Sequence, residues 1–244
     1  MLAFAAPLSA GETGAEASET KAAPAAEKEA PAATEAAAAP VSDELSDFLA
    51  KVDAKAEKLQ SLSADLTYTR AEEFSKRARK RTGRVRMKKP DRLYIEFDRP
   101  YPRRIWITEK LIFDYKTDLN TAEKVVLSKG GGPEIIGLTT PLGELREQFD
   151  MELQEPSEPG GRRMLILKPK EGVRADFTTA RVHVDAKSLL PVKIVQKDDR
   201  LGVTKTFEFS HLEENPKLPD KLFEPDVAKN TDVAEHRLGQ WQGI

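Results

Sequence analysis

The chain has 244 residues, with 39 basic and 41 acidic residues, a net charge of −2 at pH 7 and no cysteine. The lack of cysteine excludes disulfides, thiol catalysis and Cys-based zinc sites, and the near-neutral charge argues against a nucleic-acid binder. A membrane-spanning helix needs roughly 18 consecutive apolar residues, and the sequence contains no such run.

Residues 1–41 differ in composition from the rest of the chain. They are rich in Ala, Glu and Pro, and they carry six Glu against Lys21 and Lys28. Such a segment buries too little apolar surface to offset its ordering entropy, so we predict that it is disordered. Its first residues resemble the end of a signal peptide, with a small-residue motif at Leu8-Ser9-Ala10 but no basic region. The alternative is that they only extend the Ala-rich segment.

A helix is predicted next. Ser42 is a suitable N-cap, and Asp43 and Glu44 follow it in the first turn. Apolar residues then recur at helical spacing and form one stripe, which ends near Gln60. The stripe consists of Leu45, Phe48, Leu49, Val52, Ala56, Leu59 and Leu62.

Residues 83–115 carry the clearest strand pattern. Leu93, Ile95 and Phe97 alternate with polar residues, and similar short runs precede and follow them. Because successive side chains of a strand point to opposite faces, the pattern predicts a meander of four antiparallel strands. Before it we expect a strand over 64–69 and a charged bend over 72–83.

The remainder of the chain continues as strands. We predict strands over 122–127, 149–153, 164–167, 177–185, 191–197 and 203–211, with a loop and one or two short helices over 130–148. The total is about eleven strands. The expected fold class is mainly β (α+β), a curled antiparallel sheet with a helix on its concave face.

The residues that usually carry catalysis do not form a recognisable group. His183, His211 and His236 lack the spacing of metal ligands, and no nucleophile, metal or phosphate-binding motif occurs. We therefore expect no enzyme activity, no metal and no cofactor. A basic cluster is either a solvated face or a contact for anionic headgroups or an acidic partner. It comprises Lys76, Arg77, Arg79, Lys80, Arg81, Arg84, Arg86, Lys88 and Lys89.

The order of several short motifs resembles the LolA-type carriers of outer-membrane lipoproteins. The first is the pattern G-x-V-x-M-K-K-P-x-x-L-x-I-E-F-x-x-P over 83–100, and Phe113-Asp114-Tyr115 follows it. The later ones lie at 165–169, 189–192 and 207–226. The resemblance extends from about Leu45 to about Val233.

This resemblance implies a periplasmic protein with an unclosed antiparallel barrel of about eleven strands and a helical lid over an apolar cavity. The carrier domain would span 42–233, with a C-terminal tail over 234–244. Such a carrier is a monomer that takes acylated lipoproteins from an inner-membrane ABC-type lipoprotein-releasing complex. It passes them to an outer-membrane receptor of the same fold and binds no nucleic acid. Because that receptor needs an acylated Cys, the cysteine-free sequence favours the carrier.

An acyl chain costs about 0.8 kcal/mol per CH₂ to expose to water, so a carrier needs a deep apolar concavity. The predicted cavity residues are Leu66, Tyr68, Leu93, Ile95, Phe97, Ile105, Ile107, Leu111 and Phe113. The predicted lid residues are Leu45, Leu49, Ile135, Ile136, Leu138, Leu142 and Leu145. For each of these the alternative is an ordinary core residue that faces a helix.

Lys89 is the predicted lid latch. Carriers of this family often have Arg before the proline of this turn, where it can hydrogen-bond carbonyl groups of the lid. Lys lacks the planar fork of Arg, so the latch would be looser. Two other functions stay open: a periplasmic lipid- or lipoprotein-binding sensor in envelope stress signalling, and a general lipid-binding or structural protein.

Overall fold

A computed structural model of the protein describes residues 43–237, except for 76, 99, 128–140, 156–160 and 174. The side chains of residues 77 and 237 are also outside the description. The predictions made for residues 1–41, for Ser42 as the N-cap, for the first part of the loop over 130–148 and for the end of the tail over 238–244 therefore lie outside the described residues.

The predicted helix is confirmed. Helix α1 spans Asp43–Lys58 and has acidic residues in its first turn and Lys55 and Lys58 in its last. This charge order complements the helix dipole. One face of α1 is buried, through Leu45, Phe48, Leu49 and Val52. In the described ranges, no helix has the length and apolar character needed to cross a membrane.

Twelve strands follow, and they include all eleven that the sequence predicts. They are β1 (Ser61–Glu72), β2 (Arg77–Lys88), β3 (Arg92–Phe97), β4 (Arg103–Ile107), β5 (Leu111–Lys116), β6 (Thr121–Val126), β7 (Phe149–Gln154), β8 (Arg163–Pro169), β9 (Thr179–Val184), β10 (Pro191–Asp198), β11 (Val203–Glu214) and β12 (Asp232–Arg237). Two short 3₁₀ helices, Gly143–Glu147 and Asp220–Phe223, complete the described elements.

The strands form one unclosed sheet in the order β12-β6-β5-β4-β3-β2-β1-β11-β10-β9-β8-β7. Neighbours pair antiparallel, except that β12 pairs parallel with β6. Strands β12 and β7 are the two edges. The expectation of a mainly β, unclosed antiparallel barrel is thus confirmed. The helical part is small, and among the described residues it consists of α1 and the two short 3₁₀ helices.

The prediction of a charged bend over 72–83 is wrong. Strand β1 continues to Glu72 and β2 begins at Arg77, and twelve residue pairs join them from Ser61↔Lys88 to Glu72↔Arg77. Because the residues of β2 before Gly83 are mostly basic, this part of the strand shows no apolar alternation in the sequence. Backbone pairing with β1, rather than burial of apolar side chains, holds this stretch in the sheet.

Strand β12 was not predicted, and it runs across the expected domain end at Val233. Its sequence, DVAEHR, has no apolar alternation, and residues Asp232 to Glu235 are exposed. It adds to the sheet through backbone pairing with β6, supported by an ion pair of 2.7 Å between Lys124 and Glu235. Strands of this kind leave little trace in a hydrophobicity pattern.

Apolar side chains pack on both faces of the sheet. The inner face, which α1 covers, carries the main core. A second, smaller cluster on the outer face joins Tyr94, Trp106 and Tyr115 to Phe223 of the second 3₁₀ helix. Trp106 Nε1 donates a hydrogen bond of 3.1 Å to the carbonyl oxygen of Leu222, which fixes that helix on the sheet.

Candidate functional site

The inner face of the sheet brings together seven of the nine predicted cavity residues. They share one apolar cluster, and each is at most 6% exposed. The pairs Ile95↔Ile105 and Leu93↔Ile107 place these side chains directly opposite each other on neighbouring strands. The seven are Leu66, Tyr68, Leu93, Ile95, Phe97, Ile105 and Ile107.

The placement of the other two cavity residues is wrong. Phe113 lies on the outer face, where its ring meets that of Trp106 in an edge contact of 6.1 Å. Leu111, two residues earlier on β5, shares that face because alternate side chains of a strand point the same way. Their neighbour Ile112 is fully buried in the inner cluster instead.

Several inner-face residues were missing from the predicted site. Val85 and Met87 belong to an alternation that the sequence already displays, so extending the pattern across β2 would have included them. The other members lie on strands of both halves of the sheet, and they include Leu62, Ala64, Ile112, Val125, Leu165, Leu167, Val182, Ile194, Phe207 and Phe209.

Helix α1 covers this face. Two predicted lid residues, Leu45 and Leu49, are buried in the inner cluster from the helix side. Two more, Leu142 and Leu145, reach the same cluster from the 3₁₀ helix Gly143–Glu147 and its flank. The remaining three, Ile135, Ile136 and Leu138, lie outside the described residues.

Specific polar contacts fix α1 in place. The Asp53 carboxylate accepts the backbone N–H of Gly143, at 3.0 Å to Oδ2 and 3.2 Å to Oδ1. Arg146 donates to the Ser46 hydroxyl at 3.2 Å, and Lys55 pairs with Glu214 at 2.6 Å. These contacts are at the protein surface or only partly buried, where each contributes little free energy.

Lys89 lies where a latch would be needed. Its Nζ donates to the carbonyl oxygen of Ala56 at 2.8 Å and approaches that of Glu57 at 3.4 Å. Both carbonyls belong to the last turn of α1, where carbonyl groups lack partners within the helix and the dipole favours a cation. Lys89 therefore ties the β2–β3 turn to the end of the helix.

The inner face is polar at the end of the sheet that carries the β1–β2 turn. The Arg103 guanidinium makes a two-point ion pair with Asp114, and the Nε–Oδ1 contact is 2.6 Å. Asp114 is fully buried there. Arg81 lies over the Phe97 ring, 5.8 Å from its centroid, and burial lowers the pKa of Arg81. Burial raises the pKa of Tyr68, so its hydroxyl stays protonated.

The outer face carries a polar groove of about 610 Å³ over β11, β1, β2 and β3. Paired charges line it, with Asp65 3.3 Å from Arg84 and Arg86 3.4 Å from Glu96. His211 Nδ1 is 2.9 Å from Asp65, and this contact lowers the pKa of that carboxyl. Because its lining is mostly polar and charged, the groove does not suit an apolar ligand.

Curated relatives were identified by sequence. The outer-membrane lipoprotein carrier protein of Xylella fastidiosa (strain 9a5c) is 28% identical over 156 residues, which cover 64% of this chain and 72% of the relative. The protein of the same name from Hahella chejuensis (strain KCTC 2396) is 25% identical over 193 residues, which cover 78% of this chain and 86% of the relative.

A solved structure shares the fold. A crystal structure of an uncharacterized conserved protein from Thermus thermophilus superimposes with a TM-score of 0.51 at 15% identity, covering 80% of this chain and all of the other. At that identity the match concerns the fold alone. The family model described as outer membrane lipoprotein carrier protein LolA matches residues 57–226. The chain therefore belongs to the LolA family of outer membrane lipoprotein carrier proteins.

Proposed function

We propose that this protein is a periplasmic carrier of acylated lipoproteins, which holds their acyl chains against the inner face of its sheet. The observation that carries the proposal is the cover on that face. Among the described residues, helix α1 and the 3₁₀ helix Gly143–Glu147 cover a wide apolar surface, and the polar contacts of α1 lie at or near the protein surface. Such a cover can be displaced without unfolding the sheet.

The energies involved are of similar size. Moving α1 away exposes four large side chains, at about 1.5–3 kcal/mol each, or roughly 6–12 kcal/mol in total. An acyl chain of about 14 methylene groups recovers about 11 kcal/mol on burial. One bound chain therefore offsets the opening of the helix, and the carrier exchanges cargo without an external energy source at the binding site.

Each group of site residues has a role in this cycle. The apolar side chains of β1 to β4 form the wall against which the acyl chain packs. Leu45, Leu49, Leu142 and Leu145 form the inner surface of the lid, and Lys89 stabilises its closed position. Closure favours the empty state, so it helps to drive the cargo toward the next binding protein.

The proposed partners follow from the cargo. An inner-membrane ABC-type lipoprotein-releasing complex would supply the acylated protein, and an outer-membrane receptor would accept it. Transfer involves binding and release only, with no covalent step. We expect the carrier to act as a monomer, because the inner face and the described elements that cover it belong to one chain.

The direct test is to purify the protein from envelope extracts and identify bound molecules by mass spectrometry. We expect an acylated protein, and we expect the empty protein to take up fluorescent fatty-acyl probes. A photoreactive fatty acid should label inner-face residues such as Ile95 and Ile107. The matched control is Trp106, a neighbour of Ile107 on the opposite face. A protein that is empty and ignores acyl probes would contradict the proposal.

Depletion in cells separates this proposal from the stress-sensor alternative. A carrier predicts that lipoproteins accumulate in the inner membrane when the protein is removed. A sensor predicts unchanged lipoprotein sorting together with an altered envelope stress response.

A further inference from the structure

At one end of the sheet, strands β2, β1, β11 and β10 end level with one another, and β2 extends past β3. Strand β2 pairs with β3 only from Gly83 to Lys88, so residues 77–82 continue beyond the end of β3. On its other side β1 pairs with β11 as far as Glu72↔Val203, and β11 pairs with β10 as far as Val203↔Asp198. The β1–β2 and β10–β11 turns therefore lie side by side.

The two turns are joined into one tip. The backbone N–H of Glu73 donates to the carbonyl oxygen of Gly202 at 2.8 Å. The Phe74 ring lies against Gly202, where an added Cβ would be 2.4 Å from Phe74 Cε2. Gly202 also has a φ of +61°, which favours glycine. The position of Phe74 beside the second turn thus depends on the absence of a side chain at residue 202.

This tip exposes two large apolar side chains to water. Phe74 is 83% exposed and Leu201, in the adjoining turn, is 66% exposed. Single exposed apolar residues are ordinary on protein surfaces. Two on turns that are bonded to each other, at the shared end of β1, β2, β10 and β11, form a convex apolar point.

The surroundings of the tip are basic. Residues 70–81 contain six basic and two acidic residues, a net charge of +4. Two of the nearby acidic side chains have cationic partners, with Glu72 3.4 Å from Arg70 and Asp198 2.9 Å from Arg200, whereas the exposed Glu73 makes no ion pair among the described residues. The exposed Arg79 and Lys80 have no carboxylate within 4.0 Å among the described residues.

We propose that this tip docks on a bilayer surface that contains anionic lipids. Phe74 and Leu201 enter the interfacial region, while Arg79 and Lys80 contact the headgroup phosphates. A pocket on a protein partner would require a fixed complementary shape, whereas a convex apolar point with surrounding cations suits a fluid, negatively charged surface. The Tyr68↔Arg81 pair lies on the same hairpin, so docking brings the polar end of the inner face toward the membrane.

The test measures binding of the full chain to vesicles by flotation. We expect binding to phosphatidylcholine vesicles that contain phosphatidylglycerol, weaker binding to phosphatidylcholine alone, and loss of binding as salt increases. The variant Phe74→Ser/Leu201→Ser should lower the partition coefficient about ten-fold or more. Neutralising Arg79 and Lys80 with Gln should lower it about five-fold per charge.

A matched control is available at Leu119. It is 65% exposed in the β5–β6 turn, four strands away from β1 in the sheet. We expect Leu119→Ser to bind vesicles like the unaltered chain. Circular dichroism of every variant checks that the sheet is intact.

Three results would overturn the docking proposal. They are no binding to anionic vesicles at low salt, unchanged binding of Phe74→Ser/Leu201→Ser, or an equal loss for Leu119→Ser. If the chain does not bind anionic vesicles at low salt, an acidic protein becomes the better candidate ligand of the basic surface. The vesicles contain no lipoprotein, so this experiment is independent of the carrier function. If the chain binds vesicles but not fatty-acyl probes, the docking proposal is supported and the carrier proposal is contradicted.

Discussion

Lys89 Nζ lies 2.8 Å from the carbonyl oxygen of Ala56, so a turn between two strands holds the last turn of the helix that covers the inner face. The lysine backbone takes part as well, because its N–H donates to the carbonyl oxygen of Gln60 at 2.9 Å. The side-chain contact can be removed without disturbing the backbone contact, which makes it accessible to mutation.

We predict that Lys89→Leu lowers the free energy of unfolding by about 0.5–1 kcal/mol, because α1 loses a charged donor at its C-terminal end. The closed, empty state then becomes less stable relative to the loaded state, so release of cargo is impaired. Urea unfolding and a fatty-acyl probe release assay measure the two effects.

Lys89→Arg supplies a cation that reaches the same carbonyl groups and should retain or strengthen closure. Lys110→Leu, in the β4–β5 turn, removes an exposed lysine whose side chain has no hydrogen bond or ion pair with α1 among the described residues. If Lys89→Leu releases its probe at the same rate as Lys110→Leu, the latch function is wrong.

A second prediction concerns the contact between Asp53 and Gly143. A Cβ at residue 143 would lie 2.1 Å from Asp53 Oδ2, so Gly143→Ala must displace the carboxylate that its own N–H needs. We expect this variant to lose about 1–3 kcal/mol of unfolding free energy. Asp53→Ala, which removes the acceptor, should lose about 1 kcal/mol.

The double variant Asp53→Ala/Gly143→Ala tests whether the loss in Gly143→Ala comes from displacing the Asp53 carboxylate. Once Asp53 is alanine, the methyl group at residue 143 has no carboxylate to displace, so the combined loss should be smaller than the sum by about 1 kcal/mol. Asp47→Ala, which removes an exposed carboxylate from the same helix, should have little effect. Additive losses would show that the two residues act separately.

The sequence predicts the wall of the site where only one face of a strand is apolar. In β3, Leu93, Ile95 and Phe97 alternate with polar residues, and all three are found on the inner face. In β5 the run Leu111-Ile112-Phe113 is apolar on both faces. Alternation alone therefore does not show whether Leu111 and Phe113 or their neighbour Ile112 face inward. In the structure, Phe113 packs in the outer cluster around Trp106, so Ile112 faces inward.

Long-range contacts explain the rest of what the sequence does not predict. The edge strand β12 depends on backbone pairing with β6, and Asp53 meets Gly143 from 90 residues away. Arg103 and Asp114 are charged residues that lie on the inner side. Charged residues along a strand normally indicate the solvent face. The sequence does not show that Arg103 and Asp114 form a buried ion pair, because that depends on how β4 and β5 pair.

The buried pair gives a third prediction. Arg103→Met would leave the Asp114 carboxylate fully buried without its main cation, at a cost of about 3–5 kcal/mol. The variant Arg103→Met/Asp114→Leu removes both charges and should recover much of that loss. Thermal and urea unfolding measure both variants. Arg84→Met breaks an exposed pair with Asp65 and should cost less than about 1 kcal/mol. Equal losses for Arg103→Met and Arg84→Met would contradict the argument.

The last prediction concerns pH. Burial lowers the pKa of His183 below its ordinary value of 6.5, and the positive charges of Lys193, Arg162 and Arg181 act in the same direction. The unfolded chain therefore binds a proton at this residue at a higher pH than the folded chain does. The corresponding stability is complete above 6.5 and decreases as the pH falls through 6.5 toward the folded pKa. We expect an NMR titration midpoint for His183 below 6.5.

We also expect His183→Gln to flatten the decrease in unfolding free energy between about pH 7.5 and about pH 5.5. His236→Gln is the control, because it removes an imidazole from strand β12 and leaves His183 in place. Carboxylates such as Asp198, whose pKa is lowered mainly by its hydrogen bond with Arg200, contribute at a lower pH and leave this interval unaffected. A His183 midpoint above 6.5 would show that its neighbours stabilise the charged ring, and the slope would then have the opposite sign.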